Sequence, residues 1–213
     1  MSIMRNGFFK AICILTAFVV MCIGDVAFRE IHSNSRSTFP GRRVGGGTRG
    51  ECNARTLIHL VPESSVFAPG SAGTLGLVQG PSSNPFKLTV LFKPEDDQAP
   101  ISRTFAATTA SLILIRSGSV SIPTVWESSF ECSADEAVEN HGLHSFIQSS
   151  SPPALSLLLP EPEADDQSVQ LLLDSLFQRC GSRVPSRETL AQFGLSDVVN
   201  EDWPQQLPVL CPS

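Results

Sequence analysis

The stretch TVWESSFEC, residues 124–132, decides the fold class that we predict for this chain. Its side chains alternate with a period of two, so that Trp126 and Phe130 lie on one face and Glu127 on the other. Successive side chains of a strand point to opposite faces of a sheet, and the pattern therefore predicts a half-buried strand. Cys132 falls on the face of the two aromatic rings, and we expect it to point toward the core.

Similar short apolar runs, separated by turn residues, precede this stretch. KLTVLF, residues 87–92, places Leu88, Val90 and Phe92 on one face. Further strands are predicted over residues 56–62, 74–79, 102–107, 111–116 and 119–123, and the apolar segment 154–159 is a candidate for an extra strand. Short strands at this spacing are typical of an antiparallel β-sandwich, so we predict a mainly β fold.

A helical pattern follows near the end of the chain. DQSVQLLLDSLFQRCG, residues 166–181, carries apolar side chains at helical spacing up to Cys180. Asp166 is suited to the N-cap and Gly181 to the C′ position. A second short helix is predicted from Ser186 to Phe193. The sandwich should therefore end in a short C-terminal helical segment packed on the core.

The first residues have the pattern of a secretory signal. Arg5 and Lys10 precede an apolar run of 14 residues, Ala11 to Gly24. A helix of that length rises only about 21 Å, less than the ~30 Å of a bilayer core. We therefore predict a signal peptide over residues 1–24 and an exported protein, periplasmic or extracellular. An uncleaved membrane anchor stays open as the alternative.

These patterns divide the chain into five parts. They are a signal or anchor (1–24), a flexible Gly/Arg leader (25–50), a β-sandwich core (51–133), an acidic Pro-rich connection (134–165) and a helical tail packed on the core (166–213).

Four cysteines remain after the signal, and an even number in an exported chain indicates disulfides. They are Cys52, Cys132, Cys180 and Cys211. Three connectivities are possible. The simplest hypothesis is sequential pairing, in which one bond closes the β region and the other staples the helical tail.

Charge is unevenly distributed. Residues 1–55 hold eight basic and three acidic residues, a net +5, whereas the rest of the chain holds seven basic and eighteen acidic residues, a net −11. An acidic surface repels phosphates, so we expect no nucleic-acid partner.

The stretch GRRVGGGTRGEC, residues 41–52, contains the pattern G-x-G-x-x-G. A dinucleotide site needs a strand before this pattern and a helix after it, and neither is predicted here. Arg42, Arg43 and Arg49 remain candidate contacts for an anion or a partner. We predict a flexible leader in which these arginines contribute little to stability.

No catalytic, cofactor or metal site is predicted. His141 and His144 form H-x-x-H, and Glu136 or Glu139 could join them, but two histidines alone do not make a zinc site and surface histidines are expected. His59 lies in an apolar strand, where a hydrogen-bonded core or edge residue is expected rather than a base. His32 belongs to the leader and has no predicted role.

The stretch 41–52 resembles the N-terminal signature G-R-R-x-G-G-G-T-R-G-x-C of an exported cyanobacterial domain family of unknown function. The segment TLGLVQGPSSNPF, residues 74–86, and the strand with Trp126 and Phe130 are also similar to that family. The resemblance implies export and a β-rich fold, but no reaction. Where that family is rich in Trp and Tyr, this chain has NPFKLTVLF, residues 84–92.

We therefore expect a non-catalytic interaction or binding module of the cell envelope, with an envelope protein or polymer as its partner. Two alternatives stay open: an envelope hydrolase whose residues converge only in the fold, and a sensor tethered to the membrane through its N-terminal segment.

Overall fold

The computed structural model describes residue 36 and residues 38–46, 55–96, 98–130 and 152–212. The chain forms two compact units, Met1–Phe39 and Pro40–Ser213. The first unit is described only at residues 36, 38 and 39, and the predicted signal segment 1–24 lies outside the described residues. The second unit contains every element discussed below.

The described part of the second unit contains eleven strands and two α-helices. The strands are β1 (Val44–Gly45), β2 (Leu57–His59), β3 (Val66–Phe67), β4 (Thr74–Gln79), β5 (Leu88–Pro94), β6 (Ile101–Phe105), β7 (Ser111–Arg116), β8 (Thr124–Phe130), β9 (Ala154–Leu158), β10 (Arg183–Pro185) and β11 (Gln206–Leu210). The helices are α1 (Ala164–Phe177) and α2 (Ser186–Gln192), and a single 3₁₀ turn follows at Ser196–Val198.

The strands form two sheets. The first sheet has the order β1-β2-β4-β7-β11-β10, and the second has the order β3-β9-β8-β5-β6. The predicted mainly β fold, a sandwich with a C-terminal helical segment, is confirmed. Two pairings, β3 with β9 and β7 with β11, are parallel, so both sheets are mixed. Long connections separate the strands of each parallel pair, as parallel pairing requires.

The predicted alternation determines which side chains fill the sandwich. Leu88, Val90 and Trp126 are completely buried, as expected. Helix α1 covers the other face of the first sheet: Arg116 at the end of β7 places its guanidinium 3.9 Å from the centre of the Phe177 ring. The core therefore has two layers, one between the sheets and one beneath the helix.

Most predicted strands are present, with differences where the sequence is ambiguous. The segment 154–159, predicted only as an extra strand, contributes β9, which lies between β3 and β8 in the second sheet. Residues 119–123 form no strand. Strands β1, β3, β10 and β11 were not predicted, because three of them have two or three residues and the fourth is interrupted by Pro208.

The prediction of a flexible leader is wrong for residues 40–46. Strand β1 pairs with β2, joining Val44 to Ile58. A Cβ atom on Gly45 would lie 2.4 Å from the backbone nitrogen of Ala154, and Gly46 has a φ of +98°. These glycines are required by a close backbone approach and a left-handed conformation rather than by flexibility.

The helical tail matches the prediction with a shift at its start. Helix α1 begins three residues earlier than predicted, with Glu163 rather than Asp166 at the N-cap. The Asp166 carboxylate accepts a hydrogen bond from the Glu163 N–H over 2.8 Å, so it completes the cap from the third helical position. Gly181, with a φ of +79°, is not at the predicted C′ position, because the helix ends at Phe177 and its C-cap is Gln178.

The disulfide between Cys180 and Cys211 is present, with a Cα–Cα distance of 5.7 Å. It joins the turn after α1 to the residue that follows β11. This half of the sequential pairing is confirmed. Cys52 and Cys132, the other predicted pair, lie outside the described residues.

Candidate functional site

An open groove of about 560 Å³ lies beside the disulfide. Its walls are mainly apolar, with contributions from Phe105, Ala106, Ile113, Leu210, Cys180 and Cys211. The local chain path explains its position. Strand β6 is the edge of the second sheet and ends at Phe105, while Leu210 of β11 pairs with Ile113 of β7 in the first sheet. The groove therefore opens where the edge strand of the second sheet ends.

Thr108 connects this groove to a polar cluster inside the sandwich. It lines the groove, and its backbone oxygen accepts a hydrogen bond from Arg55 Nη2. Arg55 Nε donates to the backbone oxygen of Gly80 over 3.0 Å. The guanidinium thus ties the start of β2 to the end of β4 and to the loop before β7.

The strand register brings two further polar side chains to the same place. Gln79 pairs with Leu57 on one side and with Ser111 on the other. Thr108 Oγ1 donates to Gln79 Oε1 over 2.8 Å and lies 2.9 Å from Ser111 Oγ. Because a hydroxyl carries one proton, Ser111 must donate to Thr108. Gln79, Thr108 and Ser111 thus form one chain of hydrogen bonds.

Arg55 is unusual because a buried cation normally has a carboxylate partner. Its side chain is only 2% exposed, and its guanidinium carbon lies 4.8 Å from the centre of the Phe130 ring. Loss of solvent lowers the pKa of Arg55 to about 10, so the group is still charged at neutral pH. Within the described ranges no ion pair with a carboxylate compensates this charge.

A second polar cluster joins the two sheets at His59. Its Nδ1 lies 2.8 Å from Ser156 Oγ on β9, and its Nε2 lies 2.8 Å from Ser128 Oγ on β8. The imidazole stacks on Trp126 with 3.6 Å between ring centres. Burial lowers the pKa of His59 well below its usual value, so the ring is neutral and donates one hydrogen bond while accepting the other.

This serine–histidine contact is sealed from solvent. His59, Ser128 and Ser156 are all completely buried, and none of them lines the apolar groove or the polar groove described below. As predicted, His59 is a hydrogen-bonded core residue. A hydrolytic base must reach its substrate, and these side chains do not.

The candidate arginines of the N-terminal stretch have different positions. Arg42 is exposed and donates to the backbone oxygen of Pro153 over 3.3 Å. Arg43 is half-buried, and its Nη1 donates to the backbone oxygens of Val61 and Phe193 over 3.1 and 3.0 Å. Burial lowers the pKa of Arg43, while Glu63 and Asp197 raise it. Arg43 therefore connects β1 to the loop after β2 and to the end of α2, while its role as a contact for an anion or a partner stays a prediction.

The remaining candidates of the sequence lie outside the described residues. They are Arg49, Cys52, Cys132, His32, His141, His144, Glu136 and Glu139. In the ranges that the structure describes, no group of three His, Cys, Asp or Glu side chains could hold a metal ion. No helix in those ranges is long and apolar enough to cross a membrane.

A polar groove of about 470 Å³ lies in the helical tail, between residues 185–188 and 199–206. Arg187, Glu188, Glu201 and Trp203 contribute to it. Its charged side chains are exposed, and ligand sites are usually lined mainly by apolar side chains, so we regard the apolar groove as the better candidate site.

Sequence reasoning missed the cluster around Arg55. Two signals pointed to it: Arg55 immediately precedes the apolar run 56–62, and Gln79 ends a strand that is otherwise apolar. A polar side chain at the end of an apolar strand becomes buried when that end of the strand is buried. Their convergence depends on the pairing of β2, β4 and β7, which no local pattern specifies.

Comparison of the chain with protein-family models, with curated proteins and with solved structures gives no match.

Proposed function

We propose that this protein is an exported, non-catalytic binding module of the cell envelope, and that the groove beside Cys180–Cys211 receives its ligand. The observation that carries the proposal is the groove itself. It is apolar and open to solvent, and its volume of about 560 Å³ is within the range of small-molecule sites. An exposed apolar concavity is costly unless something covers it.

The architecture of the groove favours recognition over chemistry. Its walls are hydrocarbon, a disulfide and backbone, while the histidine that could act as a base lies sealed between the sheets. Binding to such a surface depends on shape and apolar area rather than on a reactive group. The alternative of an envelope hydrolase finds no support in the contacts of His59.

Export rests on the N-terminal pattern and on the disulfide. Structural disulfides persist in oxidising compartments and are rare in reducing ones. The bond between Cys180 and Cys211 therefore favours a periplasmic or extracellular location. The resemblance of residues 41–52 to an exported family agrees with this proposal. If residues 1–24 are not cleaved and tether the protein to the membrane, the same binding role applies.

The groove can be tested with 8-anilinonaphthalene-1-sulfonate, an apolar probe that becomes fluorescent when it is bound away from water. We expect saturable binding of one probe per protein. Ala106 lines the groove, whereas its neighbour Ala107 is exposed and does not. Ala106→Trp should fill the groove and weaken binding at least tenfold, and Ala107→Trp should leave the affinity unchanged.

The two tryptophan variants carry the same added surface one residue apart, so they form a matched pair. Equal loss of binding in both variants, or equal retention in both, would show that the probe binds elsewhere. Either result would overturn the groove as the ligand site.

A further inference from the structure

Strand β6 presents an unpaired backbone edge beside the groove. It pairs with β5 on one side, and on its other side it has no partner strand in the part of the chain that the structure describes. The backbone groups along that side make no hydrogen bond to another described loop or strand. A free edge of this kind is a template for an added strand, and an added strand is a polypeptide in extended conformation.

The inner face of β6 is exposed although it points toward the sandwich. Three of its residues lie directly opposite side chains of β5 that are buried between the sheets: Ile101, Arg103 and Phe105. Residues opposite each other in an antiparallel pair point to the same face of the sheet. The inner face of β6 is therefore apolar at both ends and cationic in the middle. Ile101 is nevertheless 57% exposed and Arg103 is exposed, so the first sheet does not cover this edge.

The inner face of β6 continues into the groove. Phe105 belongs to both, and Ala106, the next residue in the chain, also lines the groove. A strand added to β6 therefore places one of its inward side chains against the apolar walls beside the disulfide. In strand addition, main-chain hydrogen bonds give affinity and the pockets for alternate side chains give specificity.

Arg103 determines which side chain the added strand needs at its centre. Its Nη1 donates to the backbone oxygen of Arg116 over 3.0 Å, which holds the guanidinium on the inner side at the end of β7. Within the described ranges Arg103 forms no ion pair with a carboxylate. Opposite charges across a strand pair are favourable, and like charges directly opposite are unfavourable. The complementary strand therefore carries an acidic residue, with an apolar residue two positions away on each side.

A second copy of this chain, paired through β6, lacks that complement. Residues 98–110 contain Arg103 and no acidic residue. Antiparallel pairing of two β6 strands about their centres places the two Arg103 side chains directly opposite each other, which is unfavourable. A shift by two residues places Arg103 opposite Ile101 or Phe105 instead. Pairing of β6 with itself thus never gives the guanidinium an anion.

Resting on the proposed function, we propose that the ligand of the groove is an extended peptide segment of another protein, which adds to the free edge of β6. The central acidic side chain of this segment pairs with Arg103. Of the two apolar side chains beside it, one covers Ile101 and the other enters the groove at Phe105. The ligand class is therefore an extended segment with the pattern apolar–x–acidic–x–apolar.

The test measures the binding of dye-labelled synthetic peptides to the full-length protein by fluorescence anisotropy at low ionic strength. The first peptide alternates threonine with valine, glutamate and valine, and the second has lysine in place of the glutamate. We expect the glutamate peptide to bind at least about fivefold more tightly than the lysine peptide. Arg103→Glu should reverse this preference. Arg187→Glu makes the same change on an exposed arginine of the polar groove and should keep it.

Two N-methylated versions of the glutamate peptide test whether its backbone pairs with β6. The N–H groups of successive residues in a strand point to opposite edges, so one version is methylated on its threonines and the other on the residues between them. Strand addition uses one edge of the peptide, and only one of the two versions should therefore lose binding. Loss of binding in both versions, or in neither, would show that the peptide does not add as a strand.

The outcomes separate this inference from the proposed function. Equal affinity for the glutamate and lysine peptides, or no binding of either, overturns strand addition at β6. The groove remains an apolar binding site in that case if the Ala106 and Ala107 variants differ toward the fluorescent probe. A dimer of the free protein in light scattering that the peptide does not dissociate would assign the edge to a second copy and also overturn the inference. Equal behaviour of the Ala106 and Ala107 variants overturns the proposed function itself.

Discussion

At the scale of single residues, the sharpest contrast is between two neighbouring arginines. The guanidinium of Arg43 donates to backbone oxygens after β2 and at the end of α2, and its Nη2 also donates to Gly194 over 3.3 Å. Cations at a helix C-terminus meet carbonyls that have no partner within the helix. Arg43 therefore connects β1 to the helical tail, whereas the side chain of exposed Arg42 makes one long hydrogen bond.

Substitution of the two arginines should have unequal effects on stability. Arg43→Ala removes a charged donor from at least two partly buried carbonyls, and we expect a loss of about 2 kcal/mol in the free energy of unfolding. Such a loss corresponds to a fall of about 4–8 °C in melting temperature. Arg42→Ala should cost less than about 0.5 kcal/mol. Thermal unfolding of both variants measures the difference.

Equal melting temperatures for the two variants would contradict the role that we assign to Arg43. They would restore the view that residues 40–46 are a leader with no part in the fold.

At the scale of elements, a buried polar contact at His59 joins the two sheets. His59 of β2 meets Ser128 of β8 and Ser156 of β9, and its ring stacks on Trp126. A buried polar group is favourable only when its hydrogen bonds are complete, and both imidazole nitrogens are bonded here. The contact therefore fixes how β8 and β9 are aligned against β2.

This contact predicts how stability depends on pH. The pKa of His59 is well below 6.5 in the folded protein because of burial, whereas in the unfolded chain it is near 6.5. Above pH 6.5 both states are neutral at this residue and its contribution is complete. Below pH 6.5 the unfolded chain takes up the proton first, so stability falls by up to about 1.4 kcal/mol per pH unit.

Urea unfolding between pH 5.0 and 6.5 measures this slope, with His59→Gln as the control. Glutamine can bond both serines but does not titrate, so its stability should change less with pH over this window. The same slope in the variant and in the wild-type protein would show that His59 is not the group responsible.

The elements also show why some of the fold could be predicted and some could not. Strands β4, β5, β7 and β8 carry a period of two or a continuous apolar run long enough to be recognised, and helix α1 carries a clear apolar stripe. Strand β1 has two residues, and its position depends on the approach of Gly45 to Ala154, which is more than one hundred residues away in sequence. No local pattern contains that contact.

At the scale of the whole molecule, the order of the strands in the two sheets determines where the groove lies. The first sheet extends through β11 and β10, while the second sheet ends at β6, so the two layers do not cover each other completely. The disulfide fixes the chain after β11 to the turn after α1 and forms one wall of the opening. The C-terminal segment thus contributes both to the sheet and to the site.

The candidate site was less predictable than the fold because it depends on contacts between residues that are far apart in the sequence. Cys180 and Cys211 were expected to pair because both lie in the helical tail, and that pairing marks the groove. Arg55, Gln79 and Thr108 are separated in sequence and meet only through the register of β2, β4 and β7. The sequence contains these side chains but not their convergence.

The most direct test of the groove as the ligand site is an amide NMR titration of the full-length protein with 8-anilinonaphthalene-1-sulfonate. The account predicts that the largest shift changes follow one binding curve and belong to Ala106, Thr108 and Gly181, which line the groove. The amide signals of Arg187 and Glu201, which line the polar groove, should not shift. Largest changes at Arg187 and Glu201, or small changes spread evenly over the protein, would contradict it.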